Sequence, residues 1–254
     1  QLAVDRVKSG VVMYSEGMAV PKDLPGIVAG RVHNALYYPP LLNLNKLIRP
    51  DFAIFRVAEV YREPIRREYA LSFFNGHGTE INQFAPGHPE WENEQYTFLG
   101  KTSRILRENH SCFTSFAWKP LVPSLHDSIW INQWASGKKL LYTIFSLKPQ
   151  GFKSGLLEVT QPSDSHYVDL WNHRELNPVP KDRGWVIEAV LDAFPAHALG
   201  SNDEGAVGCI AKFPKLITAS INADELSIIC DEGTALRVWL GNPSYEKQYS
   251  ALPP

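Results

Sequence analysis

The sequence predicts an α/β portion over residues 1–112 followed by an all-β portion over residues 113–254. The first portion alternates apolar runs with helix-like segments, which is the pattern of parallel strands joined by helical crossovers. The second portion consists of short runs separated by glycine, proline, asparagine and aspartate, a pattern typical of an antiparallel β-sandwich. A polar stretch over residues 75–91 lies near the change from the first sequence pattern to the second.

Three apolar runs in the first portion predict buried, parallel-type strands: residues 10–18, 51–60 and 70–74. Each run ends in polar residues, and α/β folds collect their chemistry at the carboxyl ends of parallel strands. The third run stops at Asn75-Gly76-His77-Gly78, where the glycines permit a sharp turn. We therefore expect polar side chains from all three strands to share one rim of the sheet.

The segments between and after these runs show helical spacing of their apolar residues. Helices are predicted at residues 24–36, 41–49 and 92–109, with a short helix or turn at residues 61–69. Pro39-Pro40 stops the first of these helices and Pro50 stops the second, because proline cannot continue a helix. The last one is amphipathic, with Leu99 and Ile105 on its apolar side.

The second portion opens with two strand-like runs around Ala135-Ser136-Gly137-Lys138, which predicts a β-hairpin. Further alternating runs follow, among them GWVIEAVLDAF and AVGCIAKF. Many short strands at this spacing predict two packed antiparallel sheets.

The first portion supplies about three strand–helix units, whereas a closed (β/α)8 barrel needs eight. Three parallel strands on their own would leave unpaired edges and an uncovered sheet. Either the chain is the last part of a longer barrel, or its first portion is a small α/β layer docked on the sandwich. We favour the partial barrel, because each predicted strand ends in polar residues.

The composition limits the classes of partner. Lys and Arg number 25 and Asp and Glu number 27, and a net charge of −2 gives no reason to expect a nucleic acid or an anionic membrane. No apolar run is long enough to span a bilayer. The three cysteines show no metal-binding or disulfide spacing, and glycine-rich nucleotide-binding motifs are absent, so we expect neither a metal nor a cofactor.

The run YALSFFNGHGTEINQ, the helix predicted at 92–109 and the sequence Trp118-Lys119-Pro120 resemble the end of the catalytic barrel in bacterial retaining TIM-barrel glycoside hydrolases. In such proteins the last barrel strand leads into an Asn-Gly-x-Gly turn and the last helix, and a W-x-P linker and a β-sandwich follow. The strand ending Tyr14-Ser15-Glu16-Gly17 also resembles a barrel strand that carries an acidic catalytic group.

The resemblance implies a carbohydrate-active hydrolase that cleaves a glycosidic bond of an oligosaccharide or polysaccharide. It also implies that the amino-terminal remainder of the same polypeptide completes the barrel. We expect a secreted or periplasmic location.

Glycoside hydrolysis needs two carboxyl groups beside the scissile bond, one acting as acid and the other as nucleophile or base. Glu16 and Glu59 are the candidate catalytic residues, since each lies at the end of a predicted strand. Glu16 has the better context, because it ends an uncharged apolar strand and precedes a glycine. Alternatively, Glu16 caps the next segment or pairs with Arg31 or Arg56.

The candidate substrate-binding residues are Arg56, Asn75, His77, Glu80 and Trp91. Arg56 suits a clamp on an acidic sugar, or else an ion pair with Glu59 or Glu16 inside the barrel. The Asn75 amide and the His77 imidazole suit hydrogen bonds to sugar hydroxyls, or else polar contacts within the loop itself. The Trp91 indole suits stacking on a sugar ring, or else packing of the loop on the helix predicted at 92–109.

Two other functions stay open. One is a carbohydrate-binding or structural module without catalysis. The other is a metal-dependent hydrolase using His77, Glu80 and His88, although the spacing H-x2-E followed by H-x-E matches no established metal motif.

Overall fold

The computed structural model describes residues 2–17, 19–33, 42–59, 66–82, 92–160, 164–181, 184–201, 203–232, 236 and 238. Within them the chain mixes helices and strands, with one parallel sheet followed by antiparallel sheets. This mixture confirms the predicted order of an α/β part before an all-β part.

The helices are α1 (Leu2–Val7), α2 (Asn45–Ile48), α3 (Arg66–Phe74), α4 (Glu92–Glu108) and α5 (His110–Phe113), with 3-10 helices at Pro21–Gly26 and Ala196–Ala198. The first four strands are β1 (Tyr14–Glu16), β2 (Ala29–Val32), β3 (Ala53–Glu59) and β4 (Gly78–Asn82). The remaining strands are β5 (Lys119–Val122), β6 (Ile129–Ser136), β7 (Lys139–Ser146), β8 (Phe152–Val159), β9 (Ser165–Asp169), β10 (Arg174–Leu176), β11 (Val179–Lys181), β12 (Gly184–Leu191), β13 (Ala206–Pro214), β14 (Ile217–Asn222) and β15 (Glu225–Cys230).

The first four strands form one parallel sheet in the order β1-β2-β3-β4. All four strands therefore run in the same direction. We call the side of the sheet where their carboxyl ends lie the carboxyl edge, and the side where their amino ends lie the amino edge. Among the described strands, β1 and β4 each have a single hydrogen-bonded neighbour, so the sheet is open on both sides.

The prediction of a strand at residues 70–74 was wrong, because these residues form the second half of α3. Every residue of this helix from Glu68 to Phe74 is buried. A helix covered on all sides shows no polar face, so its sequence cannot be told from a buried strand by periodicity. The fourth strand lies instead at Gly78–Asn82, within the stretch that was predicted as a polar loop.

The predicted helix at residues 24–36 was also wrong over its described part. That segment contains the end of a 3-10 helix and then β2, and residues 34–41 lie outside the described part of the chain. A Cβ atom on Gly30 would lie 3.2 Å from the carbonyl oxygen of Gly17. The glycine therefore lets β2 pass close to the end of β1.

Six strands of the second part form an antiparallel-paired sheet in the order β10-β9-β13-β7-β6-β5, and three form another in the order β11-β12-β8. The two sheets share one apolar core, in which Ile131 and Ile144 of the larger sheet pack with Leu156 and Ile187 of the smaller. The predicted hairpin is confirmed by the pairing of β6 with β7, which starts at Ser136 opposite Lys139. Strands β14 and β15 form a separate two-stranded sheet.

Helix α3 packs on the larger antiparallel sheet. Phe73 and Phe74 share a core with Trp134 and Phe145 of that sheet. The carbonyl oxygen of Phe74, at the end of the helix, accepts hydrogen bonds from Asn132 Nδ2 (3.0 Å) and Thr143 Oγ1 (2.8 Å). The last carbonyl of the helix thus obtains partners from the sheet, which satisfies a polar group that a buried helix end would otherwise leave unpaired.

In the described residues no helix combines the length and the apolar character that crossing a bilayer requires.

We predict that Thr143→Val lowers the free energy of unfolding by about 1–3 kcal/mol, because it removes buried hydrogen bonds at the α3–sheet contact. The hydroxyl of Thr143 also accepts a bond from Trp134 Nε1 at 2.9 Å. Urea denaturation measures the change. Thr218→Val, on an exposed strand, is the control and should change stability by less than about 0.5 kcal/mol. Equal stability of the two variants would contradict the prediction.

Candidate active site

Three residues form a charged cluster on the face of the parallel sheet that points away from α3: Glu16 ends β1, Arg31 lies near the end of β2, and Glu80 lies in the middle of β4. Arg31 on β2 donates from Nη1 to Glu16 Oε1 on β1 at 2.6 Å. The same guanidinium donates to both carboxylate oxygens of Glu80 on β4, from Nε at 2.9 Å and from Nη2 at 2.8 Å. The planar fork of arginine matches a carboxylate in this bidentate manner. One guanidinium therefore holds two carboxylates on this face of the sheet.

The strand register explains why these three side chains meet. Glu16 lies opposite Arg31, which lies opposite Phe55, which in turn lies opposite Gly78. Side chains alternate along a strand, so Glu80 points to the same face two residues beyond Gly78. Arg31 therefore reaches Glu80 across the intervening strand β3.

His33 extends the cluster beyond the end of β2. Its Nε2 lies 3.1 Å from Arg31 Nη1 and 3.4 Å from Glu16 Oε1. Sequence reasoning missed His33 and treated Arg31 only as an ion-pair partner for Glu16, because this segment was assigned to a helix. The alternation of Arg31 and His33 with apolar Val32 is a strand pattern that could have identified them.

The cluster changes the titration of its members. Hydrogen bonding to Glu80 is the largest effect that raises the pKa of Arg31. In return, the hydrogen bond from Arg31 lowers the pKa of Glu80 below its ordinary value. Glu80 is therefore ionised at neutral pH, which suits an anion that attracts or stabilises positive charge and does not suit a proton donor.

The bridge also limits the distance between the two carboxylates. Both accept from the same guanidinium, so their nearest oxygens lie within about 8 Å of each other, as judged from hydrogen-bond lengths. Glycoside hydrolases separate their two catalytic carboxyl groups by about 5–9.5 Å. Glu16 and Glu80 are thus close enough to act on one bond.

Arg56 lies on the opposite face of the sheet and is buried, with 3% of its surface exposed. It forms an ion pair with Glu68 of α3, and its guanidinium lies 5.7 Å from the ring centre of Tyr69. The alternative prediction of a buried ion pair thus describes its surroundings, and the partner among the described side chains is Glu68 instead of Glu16. This position joins the sheet to α3 and lies on the other face from the Glu16–Arg31–Glu80 cluster.

Asn75 and His77 lie at the amino edge of the sheet, in the turn between α3 and β4. Both are buried, and both bond to Asn43: its backbone N–H donates to Asn75 Oδ1 at 3.0 Å, and its side-chain Nδ2 lies 3.2 Å from His77 Nε2. The expectation of one shared rim was therefore wrong for Asn75 and His77. The physical reason is that they follow a helix and precede a strand, whereas the prediction placed them after a strand.

Glu59 ends β3 and pairs in register with Asn82, four residues beyond Phe55, which lies at the level of Glu16 and Arg31. Its side chain lies outside the described part of the structure, as do Trp91 and His88. The roles predicted for these three residues stay predictions.

The amino edge has its own buried polar cluster around Lys46. The Lys46 ammonium donates to the carbonyl oxygens of Pro50 (3.1 Å) and Phe113 (3.3 Å) and lies 5.4 Å from the ring centre of Trp134. Burial lowers the pKa of Lys46 to about 8. The pKa of His77 lies well below its ordinary value, mainly because the ring is buried and secondly because of the charge of Lys46. This imidazole is therefore neutral.

Within the described residues no group of three or more His, Cys, Asp and Glu side chains is arranged to hold a metal ion. The His77 imidazole contacts Asn43, whereas both carboxylate oxygens of Glu80 accept from Arg31, so two of the residues that the metal-dependent alternative requires face different partners.

No protein-family model matches this sequence, and no curated protein matches it. Solved structures do match its fold. A maltogenic α-amylase from Thermotoga neapolitana superposes with a TM-score of 0.52 at 11% identity, covering 84% of this chain and 57% of that one. An α-amylase from Geobacillus thermoleovorans, solved with acarbose, gives 0.50 at 12% identity, covering 84% and 55%. A cyclomaltodextrinase gives 0.51 at 10% identity, covering 81% and 41%.

The chain therefore shares its fold with α-amylase-type glycoside hydrolases and spans about half the length of those enzymes. At the level of fold, this confirms the resemblance to the carboxyl-terminal portion of a barrel glycoside hydrolase that the sequence predicted. At 10–12% identity the likeness concerns the fold alone.

We predict that Arg31→Met raises the pKa of Glu80 toward its ordinary value of 4.5, because the hydrogen bonds that favour the carboxylate are removed. Carboxyl carbon chemical shifts, followed by NMR through a pH titration, measure this value. Arg49→Met, which disrupts a different ion pair with Asp51, should leave the pKa of Glu80 unchanged. An unchanged value in Arg31→Met would contradict the described bridge.

A second prediction concerns Lys46, whose pKa falls from 10.5 to about 8 on folding. The unfolded chain binds the proton more tightly, so stability should rise with pH between about 8 and 10.5. Lys46→Met should lose this rise, which amounts to about 1–3 kcal/mol at most. Urea denaturation between pH 8 and 9.5 measures it, with Lys138→Met in the exposed hairpin turn as the control. The prediction fails if both variants keep the slope of the unaltered chain.

Proposed function

We propose that this chain is the carboxyl-terminal portion of a glycoside hydrolase. In this proposal β1–β4 are the final strands of a (β/α)8 barrel, and the antiparallel sheets form an accessory β-sandwich. The observation that carries it is the Glu16–Arg31–Glu80 cluster on the face of the parallel sheet away from α3, which begins at the carboxyl end of β1. Barrel enzymes build their active sites at the carboxyl ends of their strands. The fold shared with α-amylases supports the same assignment.

Exposure of the sheet supports the barrel. On the face that carries the cluster Tyr14, Ala53 and Gly78 are exposed and Val57 is buried, whereas the other face is covered by α3 and the 3-10 helix Pro21–Gly26, with Ile54 and Arg56 buried. In a closed barrel one face of the sheet packs on helices and the other lines the interior. The remaining strands, from the rest of the same polypeptide, would pair with the outer strands β1 and β4 and cover the exposed face.

Glu16 is the leading catalytic candidate. Its side chain is 66% exposed and accepts a hydrogen bond from Arg31 at one oxygen, Oε1, so a substrate can reach it. Glu80, held on both oxygens by Arg31, serves as the permanent anion that stabilises the positive charge developing at the anomeric carbon. Glu59, which ends β3, is the second catalytic candidate.

The reaction follows from these roles. One carboxylic acid donates its proton to the glycosidic oxygen as the bond to the anomeric carbon breaks. A carboxylate then either attacks that carbon or removes a proton from the attacking water. We propose an oligosaccharide or polysaccharide substrate, and α-glucans come first because the matched enzymes are amylases and one was solved with acarbose.

A second candidate function is a carbohydrate-binding or structural module without catalysis. The observation in its favour is that Arg31 already pairs with both carboxylates, which is also the arrangement of an ion-pair network that serves the fold. Hydrolysis of a glucan by the complete polypeptide separates the two candidates.

We predict that Glu16→Gln in the complete polypeptide lowers kcat for maltooligosaccharide hydrolysis by about 10²–10⁴-fold, since an amide neither donates the proton nor attacks. Reducing-sugar release measures kcat, and urea denaturation verifies that the fold is retained. Glu188→Gln, at an exposed position of β12, is the matched control and should keep full activity. Full activity of Glu16→Gln would remove Glu16 from the mechanism. Glycan binding without any hydrolysis by the unaltered protein would favour the module.

A further inference from the structure

A narrow cleft lies where α3 and α4 meet the segment that precedes β13, away from the Glu16–Arg31–Glu80 cluster. It is lined by Arg66, Tyr69, Glu94, Gln95, Phe98, His197 and Asp203. Its volume is about 10 Å³, close to the smallest space that accommodates one water molecule. Glu94 and His197 are exposed at its mouth, whereas its deeper residues are buried.

Three of the buried side chains present unpaired polar atoms. Tyr69, Gln95 and Asp203 are 1%, 6% and 8% exposed. In the described part of the chain, Tyr69 Oη, both polar atoms of the Gln95 amide and Asp203 Oδ2 have no hydrogen-bond partner. Buried polar atoms are nearly always paired with protein or water, because an unpaired one has lost its hydrogen bonds to solvent without replacement.

The chemistry of these atoms limits what can bind among them. Asp203 Oδ2 only accepts hydrogen bonds, whereas the tyrosine hydroxyl and the glutamine amide both donate and accept. The guanidinium of Arg66 lines the same cleft and disfavours a metal cation, and the carboxylate of Asp203 disfavours an anion. A neutral molecule that donates two bonds and accepts others fits the set.

We propose that this cleft binds one structural water molecule, which donates to Asp203 Oδ2 and Gln95 Oε1 and accepts from Tyr69 Oη or from the amide hydrogens of Gln95 Nε2. The site joins the two parts of the molecule, because Tyr69 belongs to α3, Gln95 to α4 and Asp203 to the segment before β13. Asp203 already holds α3 directly, since its Oδ1 accepts the backbone N–H of Arg67 at 3.2 Å. The water adds a second connection at the same place.

A high-resolution crystal structure of the chain tests the site directly. The expected result is one density peak at hydrogen-bonding distances of about 2.7–3.2 Å from Tyr69 Oη, Gln95 and Asp203 Oδ2. A cleft without density overturns the proposal. So does a metal ion, recognised by several oxygen ligands at about 2.0–2.6 Å.

The direction in which Tyr69→Phe changes the folding equilibrium constant is an independent test of the site in solution. Tyr69→Phe keeps the ring and removes only the hydroxyl. If the hydroxyl bonds to a water molecule, the folding equilibrium constant should fall about fivefold. If the cleft is dry, the substitution removes an unpaired polar atom, and an unchanged or larger constant overturns the proposal.

Ser72→Ala is the matched control. Ser72 Oγ is also buried and unpaired in the described residues, and it lies on the same helix but does not line the cleft. Its removal should leave the folding constant unchanged or raise it. A fall as large as that of Tyr69→Phe overturns the proposal, because loss of a hydroxyl from α3 would then suffice to explain both.

Discussion

The placement of α3 is the constraint on which the rest of the structure depends. Its residues from Glu68 onward are buried, because the helix lies between the parallel sheet and the larger antiparallel sheet. Arg56 pairs with Glu68 on one side, and Asn132 and Thr143 bond to the Phe74 carbonyl on the other. A buried helix end and a buried charge are both costly without partners, so these contacts specify one docking geometry.

This geometry gives two parts of the parallel sheet different characters. The amino edge, around His77 and Lys46, is buried and polar, and its bonds run to neighbouring backbone and to the Asn43 side chain. The face away from α3 carries the partly exposed Glu16, Arg31 and Glu80. In barrel folds the amino ends of the strands serve stability and the carboxyl ends serve chemistry. In the proposed barrel, the exposed carboxylates would face the substrate.

Arg31 decides what the two carboxylates can do. It keeps Glu80 ionised, so any proton donated to a leaving group must come from another acid. Glu16 ends β1 and the second candidate, Glu59, ends β3, and both strands neighbour β2, which carries Arg31. The proposed glycosidase thus combines the charged carboxylate of Glu80 with an acid from another strand of the sheet, and the rest of the barrel would enclose them.

The sequence by itself determined the features that rest on local pattern. The hairpin at β6 and β7 followed from alternating residues around Ser136-Gly137, and α4 followed from its amphipathic spacing. The carboxylate at the end of the first strand was also evident, because an apolar run that stops at a glutamate and a glycine needs no distant partner to be recognised.

Only the tertiary structure decided the features that depend on surroundings. Residues 70–74 form a helix because protein covers them on every side, and burial removes the periodicity that separates helix from strand. That change placed Asn75 and His77 before β4, where both are buried and bond to Asn43. The bond between Arg31 and Glu80 joins residues 49 positions apart across an intervening strand, and no local pattern encodes such a contact. Side-chain partners of this kind are specified by strand order and register, which exist only once the chain has folded.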